Sequence, residues 1–421
     1  MSRLSVVLAL VLLASLLPLA TARAGTTYYV STSGSDANAG TATSPWRTIR
    51  YGMTRLSAGD TLLVRGGTYA ERIQSPTIQA GTSSARINVA AYPGERPVIQ
   101  GLLWLRGASY WTLNGINVTW SSANAPNEHM VKFTNGVGWT YINGEVWGAR
   151  SFAGILVAGN VANEPRDWRI ANSCIHDTYP THSVNQDHNI YLDTGTSAGA
   201  GLLEHNLVFN ATNGRNLKLG PGGSTGGTVN VTVRYNTFYN SAQPISPSYD
   251  SNHNRFERNI IGKSNGTYGL IHAYALRGTD NVAVNNVGFA APKLLSSSGG
   301  GILVKDGGGN LYPTDPHFDS TATCSGFHPA LATVASYGRY AGASLSTPAP
   351  TATATATATT PADPTPEPTK SHKPHPQRTS LTPHGSTSTP ETTVTSTDHG
   401  NGKGKLKGKW TDKTTGKGHQ R

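Results

Sequence analysis

A short segment that recurs seven times along the chain limits its possible folds more than any other feature. Each copy has two apolar residues separated by one residue, then an Asn or Gly turn and one further apolar residue. The final apolar residues of the copies are 23 to 33 residues apart, at Val118, Val146, Ile175, Val208, Phe238, Ile261 and Phe289. Repeats of this length with short strands are typical of solenoids, in which each coil buries its inner face against its neighbours. Asn at the turns suits a left-handed or tightly bent backbone.

A second strand can be aligned in every coil, and it predicts rows of outward-facing side chains. Its inward residues are Val131, Ile155, Ile190, Leu217, Ile245, Ile271 and Ile302. The first outward row is Lys132, Leu156, Tyr191, Lys218, Ser246, His272 and Leu303. The second outward row is Thr134, Ala158, Asp193, Gly220, Ser248, Tyr274 and Lys305. Alternation in HNIYLD (188–193) and RNLKLG (215–220) also predicts outward Asn189 and Asn216, and stacking places Tyr191 and Lys218 about 4.8 Å apart.

The composition separates the solenoid from both ends of the chain. Residues 1–24 combine Arg3, an apolar run and an Ala-x-Ala cleavage site, as in a secretory signal peptide. We assign residues 25–345 to the solenoid domain, 346–402 to a disordered Thr/Pro/Ala-rich linker and 403–421 to a basic Lys/Gly tail. We therefore expect a secreted protein with no membrane insertion, because no later run approaches ~18 apolar residues.

The net charge of +11 is divided among the N-terminal 24 residues, where Arg3 and Arg23 contribute +2, the domain and the C-terminal region. Residues 25–345 hold 22 Lys and Arg against 18 Asp and Glu, and residues 346–421 hold 10 against 5. The folded part is only mildly basic and no Gly-rich phosphate loop opens a helix, so we expect no nucleic-acid partner. The two cysteines, Cys174 and Cys324, form either a disulfide or two isolated buried thiols in an exported chain.

The N-terminal segment carries a family resemblance. Residues 27–73 contain a strand at Tyr28–Val30, a polar loop, an amphipathic helix at Trp46–Leu56 and a strand that ends in Gly-Gly, and RINVAAYPGERPVIQG (86–101) continues the pattern. This stretch resembles secreted parallel β-helix proteins of the pectate-lyase type, nearest to polysaccharide lyase family 9 and its uncharacterised relatives. The resemblance implies an all-β, right-handed, single-stranded parallel β-helix. Its short N-terminal helix would cap one end, and the disordered C-terminal tail would follow; we expect a monomer.

The resemblance also implies a polysaccharide lyase that cleaves a uronate-containing polymer by β-elimination. In family 9 the base is a lysine on an exposed strand, and Lys218 is the residue that takes this role. Arg215 would lower the pKa of the amine by like-charge repulsion and stabilise the anion. Tyr191 or His188 would donate a proton or contact the sugar. The alternatives are a solvated lysine, a surface tyrosine and a turn-packing histidine.

Further polar residues are candidate ligands for an acidic polysaccharide and for Ca²⁺. The candidate polysaccharide contacts are Asn189, Asn216, His272, Tyr274 and Lys132. The candidate Ca²⁺ ligands are Asp193, Asp187 and Asp177, because this hard cation takes carboxylate oxygens. Asp193 alternatively pairs with Lys218. The three aspartates do not form a cluster in the sequence.

Three other functions are compatible with the same fold, because function depends on the site and not on the fold. A glycoside hydrolase needs two well-placed carboxylates, whereas the central face offers chiefly Asp193, with Asp187 and Glu204 less well placed. A polyuronate epimerase would use Tyr and His. A non-catalytic glycan-binding or cell-surface β-helix protein would suit the linker and the basic tail.

Overall fold

The computed structural model describes residues 25–159, 164–182 and 185–341. The predicted signal peptide, linker and tail lie outside these residues, as does the predicted end of the domain at residue 345. The strands, in chain order, are β1 (Thr27–Val30), β2 (Thr61–Val64), β3 (Gly67–Tyr69), β4 (Arg72–Gln74), β5 (Ile87–Ala91), β6 (Pro97–Gln100), β7 (Leu102–Arg106), β8 (Trp111–Asn114), β9 (Asn117–Thr119), β10 (Val131–Thr134), β11 (Thr140–Ile142), β12 (Glu145–Trp147), β13 (Ala153–Ala158), β14 (Trp168–Ala171), β15 (Cys174–His176), β16 (His188–Asp193), β17 (Gly201–Glu204), β18 (Leu207–Leu219), β19 (Val231–Arg234), β20 (Thr237–Pro247), β21 (Arg255–Glu257), β22 (Ile260–Ser264), β23 (Ile271–Tyr274), β24 (Val282–Val284), β25 (Val287–Phe289), β26 (Leu295–Ser298) and β27 (Lys305–Asp306). The helices in these residues are α1 (Ile49–Met53) and a 3-10 turn at Ala332–Val334.

The strands form three parallel ladders, which we call faces A, B and C, and these wind into a right-handed β-helix. Face A contains β1, β2, β5, β8, β11, β14, β17, β19, β21, β24 and β27. Face B contains β3, β6, β9, β12, β15, the first parts of β18 and β20, β22 and β25. Face C contains β4, β7, β10, β13, β16, the second parts of β18 and β20, β23 and β26. The predicted parallel β-helix is confirmed.

The repeats identified in the sequence occupy the inner rows of faces B and C. The inner row of face C is Val131, Ile155, Ile190, Leu217, Ile245 and Ile271, all fully buried. The inner row of face B is Val118, Val146, Ile175, Val208, Phe238 and Ile261, also fully buried. Truncation of such a side chain to Ala costs about 2–5 kcal/mol, so these rows hold the coils in register.

The last coil of face C differs from the predicted register. Ile302, predicted to point inward, is 48% exposed, and Leu295 takes the position beside Ile271. Leu303 is likewise exposed, and Lys305 belongs to β27 on face A. Leu295 follows Ile271 by 24 residues, so the strand that completes face C comes earlier in the chain than the apolar pattern of residues 301–305 indicates.

Face B has a similar one-residue difference at its end. Gly288, not Phe289, pairs with Ile261. A Cβ atom at Gly288 would lie 2.8 Å from a methyl carbon of Leu270 and 3.0 Å from one of Leu294, so this inner position has no room for a large side chain. Phe289 therefore packs on the outside of the face.

Asparagine has two roles at the turns after face A. Asn143 and Asn285 have φ values of 57° and 52°, the left-handed conformation that the sequence predicts. The following position holds a ladder of amides: Asn206, Asn236, Asn259, Asn286 and Asn310. In the first four, the side-chain amide nitrogen donates to the amide oxygen of the next Asn in the ladder at 2.9 to 3.1 Å. These contacts satisfy buried polar groups that would otherwise destabilise the corner.

Helix α1 is shorter than the predicted helix at Trp46–Leu56. Trp46 instead forms an isolated bridge with Val30, and the Thr48 hydroxyl accepts a hydrogen bond from the Tyr51 amide at the helix start. The helix buries Ile49 and Met53. No helix within the described part of the chain is both long and apolar enough to cross a bilayer.

A disulfide joins Cys174 to Cys324, with their Cα atoms 5.9 Å apart. It connects β15 on face B to the segment that follows the last coil. Phe327 of this segment packs against Phe209, with ring centroids 5.1 Å apart. Of the two possibilities that the sequence leaves open for the cysteines, the structure has the bridge.

Candidate active site

The first outward row of face C runs in register across the middle of the domain. Its members from adjacent strands are Trp104, Lys132, Leu156, Tyr191, Lys218 and Ser246. The row continues through His272 to Ser296, which replaces the predicted Leu303. The predicted pairing of Tyr191 with Lys218 across two neighbouring strands is confirmed.

Lys218 carries its amine on the outer side of face C. Its Nζ lies 4.2 Å from the centroid of the Tyr191 ring and donates a hydrogen bond to the Pro221 carbonyl oxygen at 3.0 Å. Burial, reinforced by the positive charge of Arg215, lowers the pKa of Lys218 to about 8, and Asp193 opposes this effect. An amine with such a pKa can lose its proton close to physiological pH, as a general base must.

Arg215 is a buried cation with no ion pair to any described residue. Its Nε donates to Oε1 of Gln243 at 2.9 Å, and its Nη1 donates to the Asn185 carbonyl oxygen. Burial lowers the pKa of Arg215 to about 10, so the side chain stays charged at neutral pH. A buried charge without a counter-charge destabilises a fold, and such groups cluster at binding sites for ligands of the opposite sign.

Tyr191 and His188 form an aromatic contact beside the Lys218 amine. Their rings meet edge-on with centroids 5.7 Å apart. Burial raises the pKa of the Tyr191 phenol, so it is a proton donor at neutral pH, and its hydroxyl makes no hydrogen bond to any described residue. Burial and the charge of Arg215 hold the pKa of His188 well below its usual value, and its Nδ1 accepts the Arg215 backbone N–H at 3.3 Å. At neutral pH the His188 ring is therefore neutral, with Nδ1 as a hydrogen-bond acceptor.

The row is lined by two adjacent hollows that share Lys218, Gln186 and Gly222. The first has a volume of about 350 Å³ and a largely apolar and aromatic lining: His129, Phe152, Leu156, Ala158, His188, Tyr191 and Asp193. The second has a volume of about 300 Å³ and a polar lining: Asn185, Arg215, Pro221, Gln243, Ser246, Ser248, Tyr249, Tyr268 and Tyr274. Together they form a cleft along face C, with Lys218 on the wall between its two halves.

Asp193 is the one carboxylate among the described residues that line this cleft. Burial raises the pKa of Asp193, and the positive charge of Lys218 and a hydrogen bond from the Gly222 backbone act against this. No ion pair within 4.0 Å joins Asp193 to Lys218. The direct pairing considered from the sequence is therefore not present.

Asn189 and Asn216, predicted to contact substrate, are fully buried. The Asn189 amide nitrogen donates to the Asn216 amide oxygen at 2.9 Å and to the Phe209 carbonyl oxygen at 2.7 Å. The Asn216 amide in turn donates to the Tyr239 carbonyl oxygen at 2.9 Å. Both residues lie where the chain turns from face B to face C, and there strict in–out alternation fails. The prediction that they bind substrate is wrong.

His272 also lies in the predicted row but is not accessible. Its ring nitrogens hydrogen-bond to the hydroxyls of Ser296 and Ser298 at 2.8 and 2.9 Å, and the Tyr268 ring lies against it with centroids 4.2 Å apart. The side chain is fully buried, so the predicted sugar contact is wrong. Tyr274, in contrast, is 41% exposed and lines the polar half of the cleft, as a sugar contact requires.

The three aspartates predicted to bind Ca²⁺ do not come together. Asp187 is fully buried, and its carboxylate accepts hydrogen bonds from Thr181, His182 and Asn213. Asp177 is engaged by His176 and Asn210. In the described residues, the group of three potential ligands within reach of one ion is Cys174, His176 and Cys324, and both sulfurs belong to the disulfide. The residues present do not fit the predicted Ca²⁺ site.

Several cleft residues were not identified from the sequence. Gln243 lies opposite Arg215 on the adjacent strand, so an alignment of the repeats extended to the position of Arg215 would have identified it. Gln186, Tyr249 and Tyr268 come from connections between strands, where no periodic pattern marks them. His129 borders the apolar half with its Nε2 buried and without a partner in the described structure, and burial lowers the pKa of its ring to about 4.

Comparison with known proteins places the N-terminal third of the chain beside pectate-lyase-type β-helices. Residues 28–164 match the family model described as Pel9A-like, right handed beta helix region. A 73-residue stretch is 40% identical to pectate lyase PEL9 of Emericella nidulans and covers 17% of this chain and 18% of that protein. A stretch of the same length is 38% identical to the uncharacterized protein YwoF of Bacillus subtilis and covers 17% of this chain and 15% of that protein. The chain therefore aligns with less than a fifth of these relatives.

One solved structure with a similar backbone path is that of pectate lyase Pel9A, with 15% sequence identity and a TM-score of 0.35. The match covers 69% of this chain and 80% of that chain. Another is XylC in complex with xylose, with 12% identity, a TM-score of 0.41 and coverage of 69% and 87%. The family model and the two relatives confirm the resemblance noted in the sequence for the N-terminal coils. The matched family region ends before Tyr191 and Lys218, so the geometry of face C carries the functional argument.

Proposed function

We propose that this protein is a secreted polysaccharide lyase that cleaves a uronate-containing polymer by β-elimination, with Lys218 as the base. The observation that carries this proposal is the Lys218 amine itself. It lies on a cleft, its pKa is lowered to about 8, and Arg215, which has no ion pair with a described residue, lines the same cleft. The signal-like N-terminus and the disulfide support export, because disulfides persist in oxidising compartments.

The proposed reaction begins with neutralisation of the sugar carboxylate. Arg215 pairs with the carboxylate and lowers the energy of the anion that forms when the adjacent carbon loses its proton. The neutral Lys218 amine takes this α proton. The electron pair of the broken C–H bond forms a double bond to the β carbon, and the bond from that carbon to the glycosidic oxygen breaks.

Tyr191 is the proposed acid for the leaving oxygen. Its phenol is protonated at neutral pH because burial raises its pKa, and its hydroxyl has no competing partner in the described structure. Transfer of this proton yields a new hydroxyl on one fragment and an unsaturated uronate on the other. The Lys218 ammonium then loses its proton to solvent, and Tyr191 regains one.

The other functions have less support from the cleft. A hydrolase needs two carboxylates across the scissile bond, and Asp193 alone among the described lining residues offers one. An epimerase that uses Tyr191 and His188 would need a histidine able to carry a proton, but His188 has a pKa well below its usual value. A glycan-binding protein without catalysis would need no amine with a lowered pKa.

No step of this mechanism passes through Ca²⁺. Asp187 and Asp177 are hydrogen-bonded elsewhere, and the positive charges beside the cleft are those of Arg215 and Lys218. We therefore expect activity to persist in a chelator. A loss of activity that added Ca²⁺ restores would show that other residues hold the ion.

A panel of polyuronates tests the proposed function. Purified full-length protein is incubated with polygalacturonate, alginate and a uronate-containing glycosaminoglycan, each with Ca²⁺ and with a chelator. A lyase produces ultraviolet absorbance from the unsaturated uronate together with new reducing ends. New reducing ends without absorbance would indicate a hydrolase, and a change in sugar configuration without cleavage would indicate an epimerase. Retention on an immobilised polyuronate with none of these changes would indicate a binding protein.

A further inference from the structure

The arrangement of Tyr191 and Lys218 has a counterpart further along the same row. Lys132 follows Trp104 on the next strand, and its Nζ lies 3.8 Å from the centroid of the indole ring. Trp104 is fixed by a hydrogen bond from its Nε1 to the Thr134 hydroxyl at 2.9 Å. Both pairs therefore place a lysine amine over the aromatic ring of a neighbouring strand, on the same outward column of face C.

The amine of Lys132 is available to an anion. No ion pair within 4.0 Å joins Lys132 or Arg106 to any described carboxylate, and the nearby Glu128 is paired with Arg72 at 2.7 Å. Arg106 is exposed, and its guanidinium lies 5.7 Å from the centroid of the Trp104 ring. Two cations thus border one half-buried indole, a combination that suits a carboxylated sugar, since the ring offers an apolar face and the cations pair with the carboxylate.

The distance to the catalytic candidate follows from the strand register. From Lys132 the row passes through Leu156 and Tyr191 to Lys218, which is three strand spacings. At about 4.8 Å per spacing this is roughly 14 Å. A pyranose unit of an extended polymer advances by nearly one strand spacing, so about three sugars separate the two lysines. Leu156, which lines the apolar half of the cleft, lies between Lys132 and Tyr191 in this row.

We propose that Trp104, Lys132 and Arg106 form a second carboxylate-binding subsite, which holds a uronate about three units from the sugar at Lys218. This inference rests on the proposed function for the identity of the ligand, a polyuronate. It adds a requirement for chain length, because an oligomer too short to reach from Lys218 to Lys132 gains nothing from the second site.

The test uses the full-length protein and galacturonate and mannuronate oligomers of increasing length. Lys132→Met removes the charge and keeps most of the stem, and Trp104→Phe keeps an aromatic ring of smaller area. The matched control is Lys263→Met, because Lys263 lies over the Tyr239 ring at 5.5 Å but belongs to β22 on face B. Thermal unfolding of each variant checks that the coils remain intact.

For Lys132→Met we expect KM to rise about five- to tenfold on oligomers that span both sites, because one charge-assisted contact is lost. We expect kcat to be unchanged. Oligomers of two or three sugars and the Lys263→Met control should show no change. An equal rise on short and long oligomers, or no rise on long ones, would overturn the second subsite.

A binding measurement separates this inference from the proposed reaction. Retardation of the protein in gels that contain polygalacturonate or alginate reports affinity whether or not the polymer is cleaved. Weaker retardation of Lys132→Met in a protein that cleaves nothing would support the subsite and contradict the lyase. Cleavage that depends on Lys218, with identical retardation of the wild type and Lys132→Met, would support the lyase and contradict the subsite.

Discussion

The Lys218 amine lies over the face of the Tyr191 ring, 4.2 Å from its centroid, on the neighbouring strand of the same parallel ladder. This contact fixes a long side chain that would otherwise move through solvent, and it holds Nζ between the two halves of the cleft. The proposed base and the proposed acid are therefore adjacent because of the strand register. Arg215, three residues before Lys218 and at the corner of faces B and C, adds the positive charge that a uronate needs.

The pH dependence of the reaction should follow the protonation of Lys218. Its pKa is lowered from 10.5 to about 8, so below this pH the amine is protonated and cannot accept the α proton. We expect kcat/KM to rise with pH, by tenfold per pH unit well below 8, and to level off above about 8. Initial rates on one polyuronate at constant ionic strength check this. A rate that falls as the pH rises through the same range would contradict the role of the amine.

Substitution of Arg215 should change both the rate and the pH profile. Arg215→Met removes the cation that pairs with the carboxylate, and we expect kcat/KM to fall about 10²- to 10³-fold, as for other charge-stabilising groups. Arg215 also helps to lower the pKa of Lys218, so the rising limb should move to higher pH in this variant. For Arg215→Lys, which keeps the charge, the rising limb of the pH profile should stay at the pH found for the wild type. If the rising limb of Arg215→Met lay at the same pH as that of the wild type, this would contradict the effect of the Arg215 charge on the pKa of Lys218.

The disulfide should stabilise the domain without affecting catalysis. The bridge spans 150 residues and lies on face B, whereas the cleft lies on face C. In the chain-entropy account a loop of this length contributes up to about 5 kcal/mol to the free energy of unfolding. Cys174→Ser combined with Cys324→Ser should therefore unfold at lower temperature, yet keep its specific activity well below the transition. Equal unfolding temperatures for the wild type and the double variant would contradict this.

Most of the fold could be predicted because the same apolar pattern recurs in each coil. Each inner side chain from Val131 to Ile271 lies beside the apolar inner side chains of the adjacent coils. One alignment of the repeats therefore predicts the inward position of every residue in this row. The prediction failed at Ile302, because Leu295 already occupies the position beside Ile271, and at Phe289, where packing leaves room for glycine only. At the ends of a solenoid the neighbouring coil no longer constrains the register.

The site could be predicted only where it depends on strand register. Tyr191, Lys218 and Arg215 follow from the alternation of two strands, and the structure brings them together. The ring of Tyr268, which lies against His272, comes from a connection between strands. The hydrogen bonds to Asp187 depend in the same way on the preceding loop. Such contacts join residues whose spacing follows no period, so no pattern in the sequence reveals them.

Removal of the Lys218 amine tests the central claim most directly. Lys218→Ala and the matched control Lys263→Ala are compared by the rate at which unsaturated uronate forms, with thermal unfolding as the check on the fold. We predict that Lys218→Ala loses about 10²- to 10⁴-fold in rate, the usual contribution of a general base. The control should keep its rate, and a small primary amine added to Lys218→Ala should restore part of the lost activity. A Lys218→Ala variant that forms unsaturated product as fast as the control would contradict the assignment of Lys218 as the base.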